Sequence, residues 1–181
     1  PRVVSKAREK ARLILAEELA RAQAFQECVD ERGFIGDLNK SIVYTEQREF
    51  EYNNNPEPAK ETRLTQTSQY QRSKKVSSNA LLKAGFLCEV NSEHPVFVRK
   101  NSNENYTEPH HLVPLFAQKD FPNVNLDREQ NIVSLCSHCH NLLHYGADID
   151  GVLYKLYMDR KDLLQLIGIE ISYEDLKKYY L

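Results

Sequence analysis

Two stretches, EPHHLVPL at 108–115 and NIVSLCSHCHNLLHYG at 131–146, gather five of the chain's six histidines and two of its four cysteines into some forty residues. So dense a set of nitrogen and sulfur donors constrains the fold, because the backbone has to bring donors to common points before they can hold an ion. His140 and His144 are four apart, so on a helix they lie one turn from each other on one face and can grip the same metal. The apolar run Asn131 to Leu135 reads as a strand, and Leu112 and Val113, ahead of Pro114, read as another. The expected local order is strand, loop, strand, helix. Strand side chains alternate, which places His110 and His111 on opposite faces, one able to join an ion held by the helix while its neighbour works on a different atom.

Cys136 and Cys139 form a CxxC at the start of the same helix and supply two zinc ligands. Cys88 with His94, in the segment CEVNSEHPVF, is the best pair for the other two, with Cys28, His138 or a water as alternatives for the fourth position. Such a zinc is structural: it ties the hairpin to the helix and fixes where His140 points. His138 has no motif partner and is expected in solvent. With three cysteines given to metal, Cys28 is left as a free thiol, which agrees with a reducing compartment.

The segment from Glu108 to Gly146 resembles the HNH, or ββα-metal, endonucleases. The resemblance implies an α+β fold: a ββα-metal (HNH) catalytic module with a structural zinc site, flanked by helices. Carried over residue by residue, it implies that His110, His140 and His144 hold a catalytic divalent ion and that His111 is the general base. His111 would take a proton from a water that attacks phosphorus in line, while the metal stabilises the phosphorane charge and the leaving 3′ oxygen. The implied products carry 5′-phosphate and 3′-hydroxyl ends. Asn131 would brace the hairpin through backbone hydrogen bonds and keep the His111 ring aimed. A three-histidine set is the version seen in colicin-type nucleases, and nitrogen-rich ligation suits Mn, Ni, Co or Zn as well as Mg. The family often has a second CxxC near Cys88, whereas here position 91 is Asn and the next candidate ligand is His94.

A wider run, from ALLKAGFLCEV through HPVF, YTEPHHLVPL and NIVSLC to GIEISYEDL, is similar to prokaryotic HNH restriction endonucleases over residues 70 to 181. It implies a metal-dependent DNA endonuclease of a restriction or anti-phage system acting on double-stranded DNA. One HNH centre cuts one strand, so a double-strand cut implies a homodimer. A non-specific toxin nuclease is the alternative within the same chemistry; a zinc-stabilised DNA-binding module without catalysis is the alternative outside it. His111 beside a full three-histidine set speaks against the second, since a binder needs no base.

A net charge of −2 means that phosphate contacts must come from local clusters. Lys60, Arg63, Arg72, Lys74 and Lys75 stand against one acid, Glu61, in such a cluster, and Arg99 with Lys100 makes a smaller one beside the hairpin. The expected DNA-binding set is Arg63, Arg72, Lys74, Lys75, Arg99 and Lys100.

The 181 residues suit a catalytic domain at 71–181 and an N-terminal region at 1–70 for recognition or dimerisation. Residues 3 to 28 read as one amphipathic helix with Leu13, Leu15, Leu19 and Phe25 available for a buried face, broken by Gly33 and Gly36. Ile42 to Tyr52 is expected to form one or two strands, and Asn53 to Pro58 a loop. Further helices are expected at Val76 to Ala84, stopped by Gly85, at Tyr154 to Ile167, ended by Gly168, and after a Ser172 cap. No apolar run approaches transmembrane length and no signal peptide is visible, so the expected location is the cytoplasm. Pro1 in place of Met suggests a processed or trimmed start.

Overall fold

The computed structural model describes residues 8–16, 18–19, 22–23, 31, 33–35, 38, 52–59 and 72–180. Ser73 opens the first helix, α1 (Lys74–Lys83): its hydroxyl accepts the Val76 amide at 3.4 Å and so satisfies one of the donors that every helix start leaves unpaired. At the other end Phe86 N–H bonds Leu81 C=O and Gly85 N–H bonds Leu82 C=O, both at 2.9 Å, with Gly85 at φ 62°. Glycine takes that left-handed position without strain. The turn sends Phe86 inward, where it packs with Leu81 and Leu38 in a small apolar cluster.

The strand β1 (Glu108–His111) pairs antiparallel with β2 (Ile132–Leu135), His110 opposite Val133 and His111 opposite Ile132. The first strand therefore lies earlier than expected: it carries both histidines, and Leu112 and Val113 follow it. Pairing stops there because Asn131 belongs to a 3-10 turn, Glu129–Asn131, and its side chain rather than its backbone serves Val113. Every residue of β2 is buried, so IVSL reads as a continuous run instead of an alternating one.

The connection between the strands is long and largely buried, and its backbone polar groups need partners. Gln118 supplies three of them: Nε2 donates to the carbonyls of Phe121 and Val124 at 2.8 and 2.7 Å, and Oε1 accepts Leu126 N–H at 3.0 Å. After β2 come α2 (Ser137–Tyr145), α3 (Asp150–Leu166) and, past Gly168 at φ 88°, α4 (Tyr173–Lys177), capped by Ser172. Leu112, Leu126, Leu135, Leu153, Leu164, Ile167 and Leu176 form the main core between hairpin and helices. The result is a mixed α and β fold with one two-stranded sheet among the described residues.

Glu89 fastens this core to the sheet. Its N–H donates to Ser134 C=O at 2.8 Å, its carboxylate accepts Ser134 N–H at 2.6 Å, and Arg160 of α3, 2% exposed, meets the other carboxylate oxygen at 2.5 Å.

In the N-terminal region residues 8–16, 18–19 and 22–23 are helical, as expected, but Leu13, Leu15 and Leu19 are exposed rather than buried. Gly33 lies among helical residues instead of breaking them. Phe25, Cys28, Gly36, Lys60, Arg63 and the strands expected over 42–51 lie outside the described residues. Segment 52–59 is irregular and docks on the inter-strand connection. The buried Arg128 guanidinium donates to the carbonyls of Asn53 and Asn55, and Asn125 N–H donates to Glu57 C=O at 2.9 Å. No helix among the described residues is long and apolar enough to cross a membrane.

Candidate active site

The hairpin and α2 bring His110, His140 and His144 to one point, together with a residue that spacing did not suggest, Glu31. The four ligand atoms all lie within 4.8 Å of one another. His140 and His144 meet as their helical spacing dictates, with their Nε2 atoms 3.2 Å apart. Two nitrogens about 2.0–2.1 Å from one tetrahedral ion stand roughly 3.4 Å apart, so the observed separation suits a shared ligand position.

The hydrogen bonds behind these rings fix which nitrogen faces inward. Tyr180 Oη donates to Leu112 C=O at 2.8 Å and is 3.0 Å from His110 Nε2, so it accepts that N–H and leaves Nδ1 with a lone pair. This Nδ1 is buried without a hydrogen-bond partner, and Glu31 Oε2 stands 3.7 Å away. His140 Nδ1 donates to Glu108 Oε2 at 2.5 Å, which turns its Nε2 toward the cluster. Glu108 is itself held by Tyr106 Oη and Ser137 Oγ, each at 2.9 Å. A carboxylate behind a histidine is the usual second partner of a metal-ligating imidazole. An orphaned buried nitrogen and a carboxylate-backed ring both fit a divalent ion among these residues.

The electrostatics reflect the crowding of charge. Burial works to raise the Glu31 carboxyl, but the imidazoles of His110, His111, His140 and His144 override it and hold it well below its ordinary value. Burial drives His110 down to about 3 despite Glu31, and His140 and His144 add to the push. Burial works to lower His140 as well, yet Glu108 and Glu31 lift it to about 9.

His111 follows different logic. Its Nε2 lies 3.0 Å from Asp127 Oδ1, and the other Asp127 oxygen accepts Ser73 N–H at 2.7 Å. Nδ1 has no hydrogen-bond partner and points toward Glu31, whose Oε1 is 4.0 Å away. Burial acts to lower this imidazole, but Asp127 and Glu31 raise it, while the Arg72 charge pulls it down. His110 and His111 both lie near the Glu31 carboxylate but next to different oxygens of it, His110 Nδ1 3.7 Å from Oε2 and His111 Nδ1 4.0 Å from Oε1. Asn131, fully buried, accepts Val113 N–H at 2.8 Å and donates to the carbonyls of Val113 and Leu126 at 2.9 Å, a set of bonds that ties the chain just after the histidine pair to the far end of the inter-strand connection.

Cys88, His94, Cys136 and Cys139 form a second cluster that could hold a metal such as zinc. His94 Nδ1 lies 3.3 Å from Cys139 Sγ and 3.7 Å from Cys136 Sγ. Burial acts to raise the Cys88 thiol, but amide donors at Cys136, Asn91 and Val90, with His94, bring it down to about 7, which favours the thiolate a metal needs. His138 is exposed and takes no part.

Of the expected DNA-binding residues, Lys74, Lys75 and Lys100 are exposed and Arg72 is half-buried close to His111. Arg99 is a correction: it is 6% exposed, and its guanidinium donates to the carbonyls of Asn105 at 3.1 Å and Thr107 at 2.7 Å. It braces the loop before β1 instead of presenting charge to a phosphate. Three residues of the site went unassigned in the sequence. Glu108 had a signal, since it shares a strand face with His110. Asp127 sits in the long connection, and Glu31 lies among residues with no motif; neither has a spacing that marks it.

No family model matches the chain. Over 90 residues, half of its length, the chain is 29% identical to the type IV methyl-directed restriction enzyme EcoKMcrA of Escherichia coli (strain K12). The matched stretch is 30% of that protein, so the chain spans about a third of this relative's length.

Proposed function

We propose that the chain is a metal-dependent DNA endonuclease of the HNH, or ββα-metal, type, serving a restriction or anti-phage role. The observation that carries this reading is the juxtaposition of three convergent histidines with a fourth, carboxylate-backed histidine whose Nδ1 lies 4.0 Å from the Glu31 carboxylate that they share. His110 Nδ1, His140 Nε2 and His144 Nε2 would hold a divalent ion: Mg, Mn, Ni or Zn. Bound there, such an ion supplies Lewis-acid stabilisation of the charge that develops on phosphorus and on the leaving 3′ oxygen.

The chain's own residues do the rest. Asp127 takes the Nε2–H of His111 and so fixes the tautomer with Nδ1 as the base. That nitrogen accepts the proton of the attacking water, giving 5′-phosphate and 3′-hydroxyl ends. Asn131 keeps the hairpin in register beneath it. The Cys88, His94, Cys136 and Cys139 cluster would hold a structural zinc at the root of α2 and set the direction of His140. Arg72, Lys74, Lys75 and Lys100 would meet phosphates, with Arg63 as a further candidate. Cutting both strands needs two centres, for which a homodimer is the simplest source. The similarity to a methyl-directed restriction enzyme supports DNA as substrate and makes base methylation the first variable to test.

Cleavage of supercoiled plasmid, methylated and unmethylated, by the wild type and by His111→Ala tests the reading. The wild type should cut with Mg, Mn or Ni and stop with EDTA. Loss of the base should slow cutting by roughly 10²–10⁴-fold. DNA binding without cutting in any metal would overturn the enzyme reading.

A further inference from the structure

Glu31 reaches the histidine cluster from far away in sequence and is 3% exposed. Its Oε2 lies 3.1 Å from His144 Nε2, 3.3 Å from His140 Nε2 and 3.7 Å from His110 Nδ1. Those separations would suit ligands sharing one ion, given metal–ligand bonds of about 2.0–2.2 Å. The second oxygen, Oε1, stands 4.0 Å from His111 Nδ1. The carboxylate thus spans the gap between the three ligands and the base. On the metal-centre reading a scissile phosphate would sit in that gap, between the ion that would supply Lewis-acid stabilisation and a water at the base.

From this geometry we infer that Glu31 is a fourth, chain-supplied ligand of the metal and that it holds the position a substrate phosphate oxygen needs. The inference rests on the metal-centre reading above and deepens it. Four protein ligands close a tetrahedral ion, whereas hydrolytic sites keep a position open. A carboxylate that served only as ligand would have no reason to extend its other oxygen to the base. One that stands in for phosphate does, because it carries negative charge on two oxygens at the same two points. The N-terminal region thereby takes part in the centre, and substrate entry requires Glu31 to leave.

The test uses the full chain with zinc retained in its cysteine cluster and Mn²⁺ as probe, a hard ion that does not compete for thiolates. Mn²⁺ affinity is read by electron paramagnetic resonance, and access of inorganic phosphate to the bound ion by ³¹P relaxation. Wild type should bind Mn²⁺ and leave phosphate relaxation nearly unchanged. Glu31→Gln should bind Mn²⁺ at least roughly tenfold more weakly, the low end of the loss typical for partners outside the coordination sphere. Its bound Mn²⁺ should relax phosphate strongly. Glu31→Asp, which keeps the charge and shortens the reach, should admit phosphate to an intermediate degree and covers the case in which the Gln variant does not fold. Equal Mn²⁺ affinity in wild type and Glu31→Gln, or equal phosphate relaxation in both, overturns the assignment. His140→Ala separates the two levels: it should abolish Mn²⁺ binding, and undiminished binding would sink the metal centre itself along with the role of Glu31.

Discussion

His111 shows how one side chain's task is set by its neighbours. A solvated imidazole offers either nitrogen; here Asp127 claims Nε2 and leaves Nδ1 for the base role proposed above. Asp127 also raises the imidazole, so removing its charge should lower it. A base works only when deprotonated, and its rate rises with pH through its pKa. Asp127→Asn is therefore expected to move the acid limb of the cleavage profile to lower pH and to reduce the plateau rate, while Mn²⁺ affinity stays near the wild-type value. A plateau lowered with no movement of the limb would assign Asp127 a purely structural part. At this scale the sequence was most legible where donors are periodic. His140 and His144 meet because a helix turns every four residues or so, and CxxC brings two sulfurs to one turn. Asp127 and Glu31 were illegible because they arrive through tertiary folding, and no local period records it.

Among elements, the hairpin is the part whose placement decides the site, and it is anchored from behind. Glu89 substitutes for a neighbouring strand at Ser134, and Arg160 neutralises it from α3. Removing one partner of a buried ion pair costs roughly 3–5 kcal/mol, and the lower end applies here because Glu89 retains 23% exposure. Arg160→Ala should thus lose about 3 kcal/mol in urea unfolding; a loss below about 1 kcal/mol would mean that the pair behaves as an exposed one. The order strand, loop, strand, helix was readable from apolar runs, and so were the Gly85, Gly168 and Ser172 boundaries, which follow from backbone chemistry. The extent of β1 was not. EPHH has no apolar pattern, and it becomes a strand because β2 offers it a partner.

For the molecule as a whole, the zinc proposed for the cysteine cluster would make stability and site geometry depend on the same four residues. Structural zinc contributes about 10–16 kcal/mol of apparent binding free energy, against about 5–15 kcal/mol for the total stability of a domain. Cys88→Ala, or a strong chelator, should therefore abolish the cooperative near-ultraviolet melt of the module, and a preserved transition would show that the four residues hold the fold without metal. The N-terminal region was opaque in sequence beyond its helical period. Yet residues on both sides of position 70 share an apolar cluster, Leu38 with Leu81 and Phe86, and a polar centre, Glu31 with the histidines. Arg128 adds a third seam: a fully buried guanidinium holding the carbonyls of Asn53 and Asn55 across more than seventy positions of chain. Three seams are expected to hold the parts on either side of position 70 together without the covalent link once folding is complete. A protease that nicks the backbone between residues 59 and 72 should leave two fragments that elute as a single particle and separate only in denaturant.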